Sequence, residues 1–308
     1  MKKLAIGLSI FMFSGLTVGL FMEQKAMTSL PEQTQTETFE EQVQLTEEQD
    51  PILPFTDQEV DYTINQDEFL VTFDQGENWM DVPIEPQSLF NGEYSGNYEE
   101  LINNSYLLTK QKAMFMYAIH EGNGLSVRTI SSTDQGQSWQ DSVVTDSIPY
   151  IRYRKMELVN ETFGYLIFTG DRTMSSEMPY VYLTYDGGVS WTSVGIPDTL
   201  RLVADGGFVD ESTGFLSYGV INPDAPDFYV TNDAGNSWTE AEIQVPDEYK
   251  EIFVQAESPF ILDDQLLLHI NQGSNGDYAG GLIKGEFSSK DNGLTWEFNK
   301  DVEPDDIQ

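Results

Sequence analysis

Every tryptophan of this chain closes the same eight-residue segment: a hydroxyl residue, any residue, Asp, any residue, Gly, any residue, a small polar residue, then Trp. The five octads run from Thr72 through Asp74 and Gly76 to Trp79, from Ser132 through Asp134 and Gly136 to Trp139, and from Thr184 through Asp186 and Gly188 to Trp191. The last two run from Thr231 through Asp233 and Gly235 to Trp238, and from Ser289 through Asp291 and Gly293 to Trp296. The Asp carboxylate can accept hydrogen bonds from backbone N–H groups one to three residues on, and the Gly supplies the positive φ of a tight turn. The Trp folds its apolar ring back over the turn while its indole N–H seeks an acceptor. Each octad is therefore expected to join two antiparallel strands.

The flanking residues agree. Glu68–Phe73, Pro179–Thr184 and Asp227–Thr231 precede three of the octads and are rich in β-branched and aromatic residues; Trp191–Ile196 and Trp238–Val245 supply a second strand after the tryptophan. Upstream, Met156–Phe168 and Gly207–Tyr218 each contain a strand, a polar turn ending in Gly, and a further strand. A unit is then four strands with the octad between the third and fourth. Successive motif aspartates are 60, 52, 47 and 58 residues apart, the period of propeller blades. The expected fold is all-β: a β-propeller of five four-stranded blades over residues 57–300, preceded by an N-terminal hydrophobic helix. The first blade is short, with only Pro54 to Val60 available for its additional strand.

The five octads resemble Asp-box repeats, also called BNR repeats, of bacterial sialidases, the sortilin ectodomain and the photosystem II assembly factor family; the resemblance spans about residues 60–300. It implies that the fifteen motif residues are structural and that ligands bind elsewhere. Likeness to sialidases further implies three arginines clamping a carboxylate, a Tyr nucleophile paired with a Glu, an Asp acid/base and an Arg-Ile-Pro motif. This chain has five arginines, Arg128, Arg152, Arg154, Arg172 and Arg201, and no Arg-Ile-Pro; Ser147-Ile-Pro-Tyr150-Ile-Arg152-Tyr-Arg154 is the nearest phrase. The photosystem family's use of a basic patch finds no counterpart in this acidic chain.

Tyr150, Arg152 and Arg154 precede or enter the first strand of the third unit and Arg201 that of the fourth, so they are the candidate ligand-binding residues, an anion or peptide-carboxylate site at the channel mouth. The alternative is that these arginines neutralise neighbouring carboxylates such as Glu157 and Asp205. Only His120 and His269 are present, too few for a His-based metal triad, and no nucleophile elbow accompanies them. No catalytic residue, resident metal or cofactor is assigned. Two oxygen-rich loops, Asn222–Asp227 and Asn271–Asp277, are of the kind that hold structural Ca²⁺, without EF-hand spacing.

Lys2 and Lys3 precede an uncharged apolar run, Leu4 to Met22. At that length a cleaved signal peptide and a membrane anchor converge, and residues 1–27 are expected to be one or the other. Residues 28–56 are a Gln-, Thr- and Glu-rich stalk, and 301–308 an acidic tail. With no Cys and a net charge of −37, lipoprotein acylation, disulfides and nucleic-acid binding are excluded. The expectation is a monomeric, exported module at a bacterial, Gram-positive cell surface. It meets a membrane only through its N-terminal segment and serves as a non-catalytic binding or assembly module for a protein or glycan partner. The alternative is a diverged sialidase-like glycoside hydrolase.

Overall fold

The computed structural model describes residues 58–303. The signal segment, the stalk and the end of the tail lie outside them. Five sheets follow one another along the chain, every strand pairing antiparallel but one in the fifth. Sheet 1 is β1 (Asp61–Ile64), β2 (Phe69–Thr72) and β3 (Trp79–Asp81); sheet 2 is β4 (Tyr106–Leu108), β5 (Ala113–Glu121), β6 (Gly124–Ser132) and β7 (Gln140–Ile148). Sheet 3 contains β8 (Arg154–Leu158), β9 (Gly164–Gly170), β10 (Met178–Thr184) and β11 (Thr192–Ser193). Sheet 4 contains β12 (Val203–Phe208), β13 (Gly214–Tyr218), β14 (Asp227–Thr231) and β15 (Thr239–Glu240). In sheet 5, β17 (Gln255–Ala256) and β18 (Phe260–Leu262) both pair with β19 (Gln265–Asn271), followed by β20 (Lys284–Ser289) and β21 (Thr295–Val302). Among the described residues the only helices are three short 3-10 turns.

Every octad joins the last two strands of its sheet's meander and closes on the same network. The opening hydroxyl donates to the Asp Oδ1 at 2.8–2.9 Å and accepts from the Gly N–H at 2.7–2.9 Å. The residue four beyond the Asp gives its backbone N–H to Oδ1 and its side-chain donor to Oδ2. The carboxylate thus reaches four residues on, one further than the sequence expectation, because the hydroxyl rather than the Asp takes the nearer N–H of the Gly. The Gly φ lies between +80° and +92°, and the residue before it is also left-handed, a second positive φ that composition alone did not announce.

The octads also dock one sheet on the next. A Cβ on Gly188 would lie 2.3 Å from Met114 Cε in sheet 2; one on Gly235 would lie 2.7 Å from Val194 Cγ2, and one on Gly293 2.3 Å from Phe215 Cε1. Each tryptophan but the first packs into the core shared with the preceding sheet. Trp191 Nε1 donates across to Thr129 Oγ1 in sheet 2 at 3.1 Å, and Trp238 Nε1 to Gly195 O at 2.8 Å. Trp79 belongs to the first sheet, and its buried Nε1 has no partner among the described residues.

Four apolar cores straddle consecutive sheets. Phe69 and Val71 meet Phe115 and Ile130 between sheets 1 and 2, and Met116 and Val127 meet Met156 and Phe168 between sheets 2 and 3. Ile167 and Leu183 meet Val203 and Leu216 between sheets 3 and 4, and Phe215 and Val230 meet Leu268 and Phe287 between sheets 4 and 5. Alternation along β19 and β20 turns His269, Glu286 and Lys284 to the other face of sheet 5, which is polar.

Two details differ from the sequence reading. Sheet 1 has three strands among the described residues. Gln75 N–H, within its octad, donates to Glu59 O just as Gly187 does to Thr162 O and Ala234 to Ser212 O, so Glu59 takes the place before β1 that Thr162 and Ser212 take before β9 and β13. Trp238–Val245 is not one strand. At Ala241 it leaves sheet 4, and β16 (Glu242–Gln244) runs parallel to β21 along the outer edge of sheet 5. Ala241, Ile243 and Val245 pack on the core between the two sheets, which draws the segment across.

Gly188→Ala combines a left-handed alanine with the Met114 contact and is expected to lower unfolding free energy by about 2–4 kcal/mol. Gly122→Ala, left-handed but with open space around it, should lose only about 1–2 kcal/mol; urea unfolding of both checks this. Hydrogen bonds from Asn78, Ser138 and Ser237 hold the carboxyls of Asp74, Asp134 and Asp233 below the usual range. Slight burial pushes Asp186 and Asp291 up, but the bonds from Ser190 and Thr295 outweigh it. Because the folded values are depressed, this stabilisation is complete above the ordinary Asp value of about 4 and is lost as pH falls through the folded values. The melting temperature should therefore hold from pH 7 to about pH 5 and drop below about pH 4, less steeply in Asp233→Asn.

Candidate functional site

The meander puts the octads and the turns between first and second strands at one end of the sheets. The opposite end carries the loops between second and third strands and the segments that enter each first strand. Tyr150, Arg152 and Arg201 lie at this second end, with Arg154 opening β8. Thr169 N–H donates to Tyr153 O at 3.1 Å, and Gly219 N–H to Leu202 O at 3.0 Å. Arg152 and Arg201, one residue earlier in each case, occupy equivalent places in sheets 3 and 4.

Each arginine is held by oxygens of the chain. Arg152 Nε lies 2.6 Å from Glu177 Oε2 and its Nη2 2.5 Å from Oε1, while the same Nη2 donates to Val203 O at 2.6 Å. The Glu177 side chain is fully buried and also accepts Val203 N–H. Arg201 Nη1 pairs with Asp227 Oδ2 at 2.5 Å. The two ion pairs repeat: each joins the entry of the first strand to the entry of the third, across sequence separations of 25 and 26 residues. Arg154 is 5% exposed and has no carboxylate partner among the described residues. Nη1 donates to Leu89 O and Nη2 to Asn91 O, at 2.9 and 2.7 Å, and burial lowers its pKa to about 10. Arg128 is paired with Asp141 and Arg172 with Glu93. Tyr150 is 39% exposed.

The carboxylates that the sequence offered beside these arginines go elsewhere. Asp205 accepts Tyr153 Oη and Lys155 Nζ, and Glu157 accepts Tyr165 Oη. Glu177, Asp227 and Tyr218 were not singled out for this end of the sheets, although Glu177 and Asp227 carry a legible signal: a lone acid at the entry of an apolar third strand, recurring 50 residues on.

Tyr218, at the end of β13, lies in the field of Asp227 and Glu177. It is fully buried and its Oη has no partner among the described residues. Burial pushes the phenol up, and the charges of Asp227 and Glu177 push it further. A nucleophilic tyrosine needs a base in hydrogen-bond reach and a lowered pKa; Tyr218 has neither. His120 is exposed; His269 packs edge-on against Phe260 and burial lowers its pKa. Among the described residues no three His, Cys, Asp or Glu side chains converge as a metal site. The two oxygen-rich loops do meet: Asn275 Nδ2 donates to Asn222 Oδ1 at 2.7 Å, beside a cavity of about 240 Å³ that both loops line.

An all-β fold with almost no helix, built of consecutive antiparallel meanders that share their cores pairwise, is that of a β-propeller domain. The chain belongs to the family described as DUF6242 beta propeller domain, whose model matches residues 12–286. No curated protein matches it. Among solved structures, a protein of unknown function from Dyadobacter fermentans is 11% identical with a TM-score of 0.39, covering 62% of this chain and 65% of that one. A mutant of the NanB sialidase from Streptococcus pneumoniae is 13% identical with a TM-score of 0.37, covering 66% and 37%. A GH43 beta-xylosidase/alpha-arabinofuranosidase from a compost microbial metagenome is 11% identical with a TM-score of 0.36, covering 63% and 76%. The matches thus span less than two thirds of the length of the first two of these chains.

Glu177→Gln leaves Arg152 with no countercharge and is expected to cost about 3 kcal/mol of stability, whereas Asp227→Asn, opposite a half-exposed arginine, should cost under about 1 kcal/mol. Chemical denaturation of the two variants measures both.

Proposed function

We propose that this chain is an exported propeller of five Asp-box blades that acts without catalysis, as a binding or assembly module for a protein or glycan at a bacterial, Gram-positive cell surface. The octads are its scaffold, and the partner meets the opposite, loop-bearing end, where Tyr150 and the half-exposed Arg201 lie. The observation that carries the reading is that all five arginines are already held by carboxylates or carbonyls of the chain, so no three of them are left to clamp a substrate carboxylate. The pKa of Tyr218, raised where a nucleophile's would be lowered, supports the same side. Export rests on Lys2, Lys3 and the apolar run Leu4–Met22, and the bacterial envelope on the absence of Cys.

The purified chain is expected to bind at least one class in an array of glycans, cell-wall fragments and surface proteins, to lose that binding on Arg201→Ala, and to leave a fluorogenic sialoside intact. Turnover abolished by Arg152→Ala or Tyr218→Phe, in variants that still fold, would establish the glycoside hydrolase instead.

A further inference from the structure

Between the loop that follows β13 and the one that follows β19 lies a cavity of about 240 Å³ whose polar lining includes Asn222, Glu251, Gln272, Ser274, Asn275 and Asp277. Its lining is unbalanced in one direction. The Gln272 side chain is 6% exposed, and both hydrogens of Nε2 are spent on backbone carbonyls, Tyr278 O at 3.1 Å and Ile283 O at 2.9 Å. That fixes which way the amide faces and leaves Oε1, also buried, with no donor among the described residues. An unmet buried oxygen is costly in a folded protein, on the order of 1–3 kcal/mol. A glycine packs closely against it: a Cβ on Gly276 would stand 2.1 Å from Gln272 Cβ, 2.8 Å from Gln272 O and 3.0 Å from Oε1.

The other groups on this cavity add acceptors. Asp277 stands at the head of the short 3-10 turn Tyr278–Gly280, yet its side chain makes no capping hydrogen bond. Neither Asp277 nor Glu251 is in an ion pair among the described residues, and no Lys or Arg lines the cavity. Two carboxylates, a buried amide oxygen and the amides of Asn222 and Asn275 make an all-oxygen, net-negative set. An anion is repelled from it.

We propose that this cavity binds a hard divalent cation, Ca²⁺ in preference to Mg²⁺, through Gln272 Oε1 and the carboxylates of Asp277 and Glu251, with water completing the shell. Two carboxylates rather than three give a weak site, in the roughly 10⁻⁴–10⁻³ M class of extracellular modules. The irregular loops, contributed by two separate segments, suit the six to eight flexible oxygen ligands of Ca²⁺ better than the strict octahedron of Mg²⁺. Bound there, the ion ties the segment that enters β17, through Glu251, to the loop after β19, at the end of sheet 5 away from the octads.

The full chain is titrated with CaCl₂ and separately with MgCl₂ at constant ionic strength, following melting temperature by scanning calorimetry and heat by isothermal titration. The expected result is a saturable rise with Ca²⁺, with a midpoint near 0.1–1 mM, and a midpoint at least about tenfold higher with Mg²⁺. Asp277→Asn and Glu251→Gln, both at exposed positions, should each raise the Ca²⁺ midpoint about tenfold. Asp263→Asn at the exposed β18–β19 turn should leave it unchanged. An unsaturable response, an equal response to Mg²⁺, or titrations of Asp277→Asn and Glu251→Gln matching that of the parent would reduce the effect to counterions around an acidic chain and overturn the site. The array and sialoside results do not bear on it.

Discussion

A side-chain hydroxyl taking the N–H of a glycine, while its own hydrogen goes to an aspartate two residues on, is the contact that organises this molecule. It fixes two successive left-handed residues, brings the Asp over the turn, and sets the Gly flush against the preceding sheet. The Trp that closes the octad then fills the core between the two. One short loop therefore does three jobs: it turns the chain, sets the spacing between sheets and supplies the largest apolar group at the interface. The residue types follow from those jobs. A side chain on the Gly would separate the sheets, and without the carboxylate the last two strands would lose the acceptor for the N–H and side chain that close the loop.

Most of the fold was legible because the octads mark the hairpins and β-branched runs mark the strands that flank them: β2, β10 and β14 fall within one residue of the runs identified before their octads. Where the reading departed, a longer-range contact prevailed. Trp238–Val245 alternates like a single strand, but Ile243 and Val245 find more to pack on beside sheet 5, so the strand breaks at Ala241 and changes sheets. A parallel pairing of that kind leaves no mark in local pattern, since the deciding partner, β21, lies some fifty residues downstream.

The arginines were legible as a cluster and not as pairs. Arg152 and Arg201 were recognised as equivalent entries to neighbouring units, yet their counterions stand 25 and 26 residues away at another strand entry, and nothing local connects them. Only superposing the repeats shows that the acid recurs with the base. Gln272 is subtler still. A glutamine in a loop reads as solvated, and only the two carbonyls that take its hydrogens reveal an oxygen without a donor.

The meander divides the molecule into a constructive end and an expressive one. All five octads and the turns that lean on them crowd one end of the strands, whereas the long, irregular connections, from the stretch after β3 to the loop after β19, leave from the other. The stabilising contacts of the first end do not pass through the second. Rewriting the exposed residues of a loop there leaves the octads' spacing of the sheets unaltered, provided that Leu89, Phe90, Phe253 and Glu177, buried in those same connections, are kept, so a chain built this way can acquire a new partner without relearning how to fold.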